Sequence, residues 1–131
     1  MQKLRQPPAS AKMTRLHPER TTLYYEVVVY PTVASLRKNE RQPRAVKGVV
    51  RHQRVWRDGR LQRGLGRVAL AGRYLGVRIV SHEMTHAAMG YLYSRGVDTI
   101  DLEGPNERLC YIVGDMTAEF YRWAYKNGLV K

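Results

Sequence analysis

A chain of 131 residues with 44% hydrophobic residues is long enough for one modest core and too short for two ordinary domains. It has no apolar run of membrane-spanning length, and a single cysteine, Cys110, excludes an intrachain disulfide and fits a reducing cytoplasm. The net charge of +12 is uneven: residues 1–73 hold 17 Lys/Arg against 4 Asp/Glu, whereas residues 74–131 hold 6 against 7.

Residues 1–20 are polar and basic, and Met1 to Met13 within them is Pro-containing and lacks the apolar centre of a secretory signal. They read as a polar arm, a candidate for disorder, leaving 21–131 as one domain. His17 lies in that arm and reads as exposed. Thr21 to Ala34 is β-rich, with Pro31 marking an end or an edge. Leu36 to Arg44 reads as a charged loop. Ala45 to Arg57 and Arg60 to Ala71 read as the strands of a hairpin turned at Asp58-Gly59, a pair favoured in two-residue turns. Pairing Arg57 with Arg60 sets Trp56 against Leu61 and His52 against Leu65. One half-buried face then carries Val50, His52, Trp56, Leu61 and Leu65, with Arg54 opposite Arg63. On this register Trp56 and His52 are structural residues.

Arg51, Arg54, Arg57, Arg60, Arg63 and Arg67 crowd this hairpin around Trp56. Three uses stay open. The arginines contact nucleic-acid phosphates, they dock an acidic protein, or they form a solvated face that discourages edge-to-edge pairing.

Tyr74 to Arg95 has the helical period, with Leu75, Ile79, Val80, Met84, Ala88 and Leu92 on its apolar surface and Gly96 as a stop. Inside it lies His82-Glu83-Met84-Thr85-His86, the HExxH pattern. Positions i and i+4 share a helix face, so both imidazoles can bind one metal ion. Glu83, beside that ion, can take a proton from a metal-bound water. The competing reading is a surface helix with two ordinary histidines. Ala87, Ala88 and Gly90 are small enough for a second helix to approach.

Pro105 to Tyr125 reads as that second helix, with Leu109, Ile112, Val113, Met116, Phe120 and Trp123 as its apolar stripe. A catalytic zinc site usually has three protein ligands. Glu107, 21 residues after His86, is the choice for the third, because the gap allows a reversing loop and an antiparallel return. Cys110 and Gly114 share its face and are small. A glutamate in a first helical turn also serves the helix dipole, and Glu103 is the runner-up ligand. Asp98 and Asp101 are further acidic candidates. Asp115 and Glu119 read as solvent-facing residues or as partners for an imidazole N–H. Tyr91, Tyr93, Tyr111 and Arg108 are candidates to stabilise an oxyanion.

The run His82 to His86, followed by Glu107-Arg108-Leu109-Cys110-Tyr111-Ile112-Val113-Gly114, resembles the gluzincin zinc metallopeptidases. It looks closest to small phage- and prophage-type metallopeptidase domains and is similar in outline to the ImmA/IrrE group. The resemblance covers roughly Gly66 to Gly128. It implies a minimal zincin-like domain with Zn2+ on His82, His86 and Glu107, and Glu83 as general base. It implies peptide-bond hydrolysis in one or a few protein substrates, in the cytoplasm of a bacterium or phage-infected host. It also implies a strand just before the zinc helix, at Leu65 to Ala71, that holds an extended peptide by β-augmentation. Tyr111 departs from thermolysin-like enzymes, where an acidic residue commonly stands four places after the glutamate ligand. The rival class is a basic nucleic-acid- or partner-binding protein whose zinc site is structural or vestigial. The order β-β-β-α-α predicts an α+β domain, with a small antiparallel or mixed sheet of three or more strands packed on two helices.

Overall fold

The computed structural model describes residues 4–53, 56–97 and 104–131. In chain order these form β1 (Lys12–Leu16), β2 (Tyr24–Tyr30), α1 (Val33–Asn39), β3 (Gly48–His52), β4 (Trp56–Arg57), β5 (Arg60–Leu61), β6 (Gly64–Ala71), α2 (Val77–Ser94) and α3 (Gly104–Lys126). The main sheet has the order β1-β2-β6-β3, and β4 and β5 form a separate two-stranded ribbon. Strands β2 and β6 are parallel, while the two outer pairings are antiparallel. The architecture is therefore α+β with a mixed sheet. Among the described residues no helix is long and apolar enough to cross a membrane.

Central strands covered on both faces need apolar residues on both. Tyr25, Val27 and Val29 of β2 join Leu65, Val68 and Leu70 of β6 on one face. There they pack against Val80, Met84 and Tyr91 of α2 and Ile112, Met116 and Phe120 of α3. The opposite face presents Val28, Tyr30, Ala69 and Ala71 to Leu36 of α1. This second layer corrects the expectation of a loop from Leu36 to Arg44. Strand β2 ends at Tyr30, and Thr32 caps a helix by accepting a hydrogen bond from the Ser35 amide at 3.0 Å.

The N-terminal arm is also corrected from Lys12 onward. Lys12–Leu16 pairs antiparallel with β2, from Lys12↔Val29 to Leu16↔Tyr25. The outer edge of β2 is thereby covered. Only Leu16 of this strand is buried, so its apolar signal is weak.

The hairpin keeps the expected register at its tip and loses it at its base. Trp56↔Leu61 and Arg57↔Arg60 pair as expected, and Asp58 (φ 52°) and Gly59 (φ 74°) both adopt the left-handed backbone of a type I′ turn. Lower down, His52 pairs with Gly66 and Val50 with Val68, one residue away from the expected His52↔Leu65. Gly66 sits at φ 146°, a bulge conformation closed to side-chain-bearing residues. Leu65 (2% exposed), Val50 and His52 still share the side that faces α2, as expected, whereas Trp56 and Leu61, 65% and 51% exposed, do not join them. Arg54 lies outside the described residues.

Register also aligns Arg15, Glu26, Arg67 and Arg51 across the four strands. Arg67 is 3% exposed, which corrects its assignment to a basic surface. Its guanidinium pairs with Glu26 at 2.5 Å and with Glu40, at the C-terminal cap of α1, at 2.9 Å. It also donates to the Arg5 carbonyl at 2.6 Å. Glu40 is itself buried, and it further pairs with Arg51 at 3.3 Å and accepts the Tyr30 hydroxyl. Burial, then the neighbouring Glu40 carboxylate, pushes the Tyr30 phenol well above its ordinary range.

Removing one member of such a network strands the others without compensation. Arg67→Met is expected to destabilise the fold by about 3–5 kcal/mol. Arg60→Ala, at an exposed position, is expected to stay within about 0.5 kcal/mol of the parent. Urea unfolding of the two variants side by side checks both figures.

Candidate functional site

Helix α2 has a buried side made by Val80, Met84, Ala87, Ala88, Tyr91 and Leu92. The HExxH histidines lie on its other side. Arg78, His82, His86, Met89 and Tyr93 recur at helical spacing and are all exposed, forming a solvent-facing ridge. The His82 and His86 rings stand 4.9 Å apart, centroid to centroid, and are inclined at 73°. The i and i+4 spacing thus does bring the two imidazoles together.

Glu83 is the exception on this helix, a carboxylate only 7% exposed. His82 Nε2 lies 3.8 Å from its Oε1. Burial pushes the Glu83 pKa up, opposed by the charges of His82 and His86. Strand β3 provides the burial. A Cβ added at Gly48 would lie 2.9 Å from the Glu83 Cγ, so this glycine lets the strand close over the carboxylate. An open depression of about 370 Å³ runs here, lined by Ala45 to Gly48, Arg78, Ile79, His82 and Glu83.

The same strand reaches α2 a second time. The ring of His52 lies on Gly90, one turn beyond His86, and a Cβ at Gly90 would fall well inside the contact distance of both His52 and the Tyr25 hydroxyl. The Tyr25 hydroxyl and His52 Nδ1 share a hydrogen bond of 2.9 Å. Burial first, and then the charge of His86, lowers the His52 pKa. Gly90 therefore makes room for side chains of β2 and β3, not for a second helix. The sequence carried a sign of both contacts in its glycines at 48 and 90, but not which neighbour used the space.

Strand β3 also changes the expected substrate strand. Strand β6, which includes Leu65 to Ala71, is paired on both sides, with β2 and with β3, and has no edge to offer. The sheet edge beside α2 belongs to β3.

On the other flank of α2, Ser81 and Thr85 meet Leu109, Cys110, Val113 and Gly114 of α3 across a seam. Cys110 is exposed on this seam and is not a buried packing residue. Glu107 stands in the first turn of α3, as expected, but lines a different depression with Glu19, Arg108, Tyr111, Ile112 and Asp115. Among the described residues no three His, Cys, Asp or Glu side chains are grouped closely enough to hold a metal ion. The histidine pair supplies two nitrogen donors suited to zinc, and the structure does not bring Glu107 to them. Glu103, Asp98 and Asp101 lie outside the described residues.

The oxyanion candidates are dispersed. Tyr91 donates to Glu19 at 2.7 Å, and Arg108 grips the same carboxylate through Nε at 2.7 Å and Nη2 at 2.5 Å. Tyr111 and Asp115 are exposed around Glu107, and Tyr93 is 85% exposed on the α2 ridge. Glu19 and Arg20 are both in the left-handed region, at φ 52° and 58°, an unusual backbone for two successive side-chain-bearing residues. The Glu19 clamp ties that turn to the C-terminal half of α2 and the start of α3.

Two outcomes follow from these contacts. Hydrogen bonds from Arg108, which outweigh burial, hold the Glu19 pKa below the usual carboxylate range. A depressed carboxylate stabilises the fold above its unfolded-state pKa, and that contribution is lost as pH falls through the folded-state value. The stability gap between the parent and Glu19→Gln is therefore expected to be full at neutral pH and to close in acid, measured by urea unfolding across a pH series. Gly90→Ala is expected to cost about 1–3 kcal/mol by overpacking against His52 and Tyr25, read by thermal unfolding.

Comparison with known proteins returns no match: no family model fits the chain, and no curated protein or solved structure is similar to it.

Proposed function

We propose that the chain is a zinc-dependent metallopeptidase of the HExxH type, related to the gluzincins, acting on one or a few protein substrates. One observation carries the reading: a buried carboxylate, Glu83, with no other partner among the described residues, lies beside two exposed imidazoles on the same helix, along an open depression. A surface helix with two ordinary histidines gives no reason to bury that carboxylate. A general base for water benefits from a raised pKa, and the burial by Gly48 acts in that direction.

His82 and His86 would hold the metal as its two nitrogen ligands. A zinc ion in such a site supplies Lewis-acid activation of water and of the scissile carbonyl. The chain's own part centres on Glu83, which takes a proton from the attacking water and passes it to the leaving amine. The edge of β3, unpaired among the described residues, supports an extended substrate, aligned by backbone hydrogen bonds along the depression that His82 and Glu83 line. An open depression suits recognition of a segment in a particular protein better than general digestion.

The expected result is about one zinc per purified chain, lost in His86→Ala. Glu83→Gln should keep the metal while lowering cleavage of an unfolded protein probe, such as labelled casein, by roughly 10²–10⁴-fold. Metal analysis and the cleavage assay on the same preparations decide the matter. A chain without zinc, or cleavage indifferent to Glu83→Gln, removes the proposal.

A further inference from the structure

We propose that the β4–β5 ribbon is a docking site for single-stranded nucleic acid, with Trp56 as a base-stacking platform and Arg60 and Arg63 as phosphate contacts. Tryptophan is usually a highly buried residue. Here Trp56 is 65% exposed, and the residue directly opposite it, Leu61, is 51% exposed. Among the described residues the ribbon pairs only with itself, as a sheet separate from the four-stranded one.

The arginines of the hairpin divide by position. At its base, Arg67 and Arg51 are neutralised by Glu26 and Glu40 inside the fold. Toward its tip, Arg60 and Arg63 are exposed and make no ion pair among the described residues. In sequence, residues 54–63 carry four arginines against one acid, Asp58. Like charges gathered on a two-stranded ribbon destabilise it, and a polyanion relieves them.

The indole selects among polyanions. An unstacked base can lie on an exposed aromatic ring, whereas the bases of a duplex are already stacked and would leave only the arginines engaged. An acidic peptide would use the arginines and not the ring. An anionic membrane surface calls for a wider apolar face than one tryptophan and one leucine provide. The ribbon shares no residue with the His82–Glu83–His86 centre, so this site stands or falls separately from the hydrolytic reading.

The test is fluorescence anisotropy of the full chain with a labelled oligothymidylate over a range of salt concentrations. An equal-length duplex, polyglutamate and phosphatidylserine vesicles serve as competitors. Preferential single-strand binding is expected. Trp56→Ala should weaken it about fivefold to a hundredfold, and Trp56→Phe should recover most of the loss. Arg60→Gln and Arg63→Gln should each flatten the log–log salt slope by about 0.7. Glu83→Gln should bind like the parent, which separates this site from catalysis. Circular dichroism should be unchanged in the Trp56, Arg60 and Arg63 variants, since those residues are exposed. The proposal is overturned by any of three results: no single-strand binding at low salt, binding indifferent to Trp56→Ala, or stronger competition by duplex, polyglutamate or vesicles than by unlabelled single strand.

Discussion

A guanidinium that is 3% exposed must be neutralised where it stands, and Arg67 draws much of the chain together to achieve this. Glu26 brings in β2, Glu40 brings in the end of α1, and the Arg5 carbonyl brings in the segment before β1. Through Glu40 the network also takes hold of Arg51 on β3. Buried ion pairs contribute little net stability, because desolvation offsets most of their attraction. Their strength is geometric. Here the geometry fixes β3 alongside β6, since Arg51 and Arg67 occupy facing positions and share one acid.

The placement of β3 in turn shapes the helix that carries the histidines. Gly48 closes over Glu83, and His52 comes to rest on Gly90. One flank of α2 is thus fitted to a strand and the other to α3, while the ridge bearing His82 and His86 is left open between them. A buried carboxylate beside two exposed imidazoles is the product of that division. The same strand stands at the sheet edge next to the pair, while β6 is enclosed by two neighbours.

Features that depend on nearby residues were legible in the sequence. The two long helices follow from their apolar period, the common face of His82 and His86 from their spacing, and the type I′ turn from Asp58-Gly59. Features set by distant partners were not. Strand β1 buries a single residue, Leu16, and short α1 buries only Leu36, so neither has a strong pattern. The hairpin base is shifted by one residue relative to its tip, and Trp56, expected in the core, is exposed. Arg67 looks like surface charge until Glu26 and Glu40, 41 and 27 residues away, are placed beside it. For Glu107, its turn of α3 was readable, whereas the rotation of α3 against α2, which decides what that carboxylate meets, depends on the packing of Ile112, Met116 and Phe120.

The parallel pairing of β2 with β6 has a consequence for the order of assembly. The β1–β2 and β3–β6 antiparallel pairs join strands close in sequence, whereas Val27 must wait for Val68 to be made. Closing that crossover loses chain entropy before any contact compensates for it, which makes it the natural slow step in folding. During synthesis, the inner edge of β2 therefore leaves the ribosome with no partner to meet. Helix α2 packs on both strands of this pair, so its histidine ridge acquires its platform only after the crossover has closed. The face that carries His82 and His86 would thus take shape among the last events of folding.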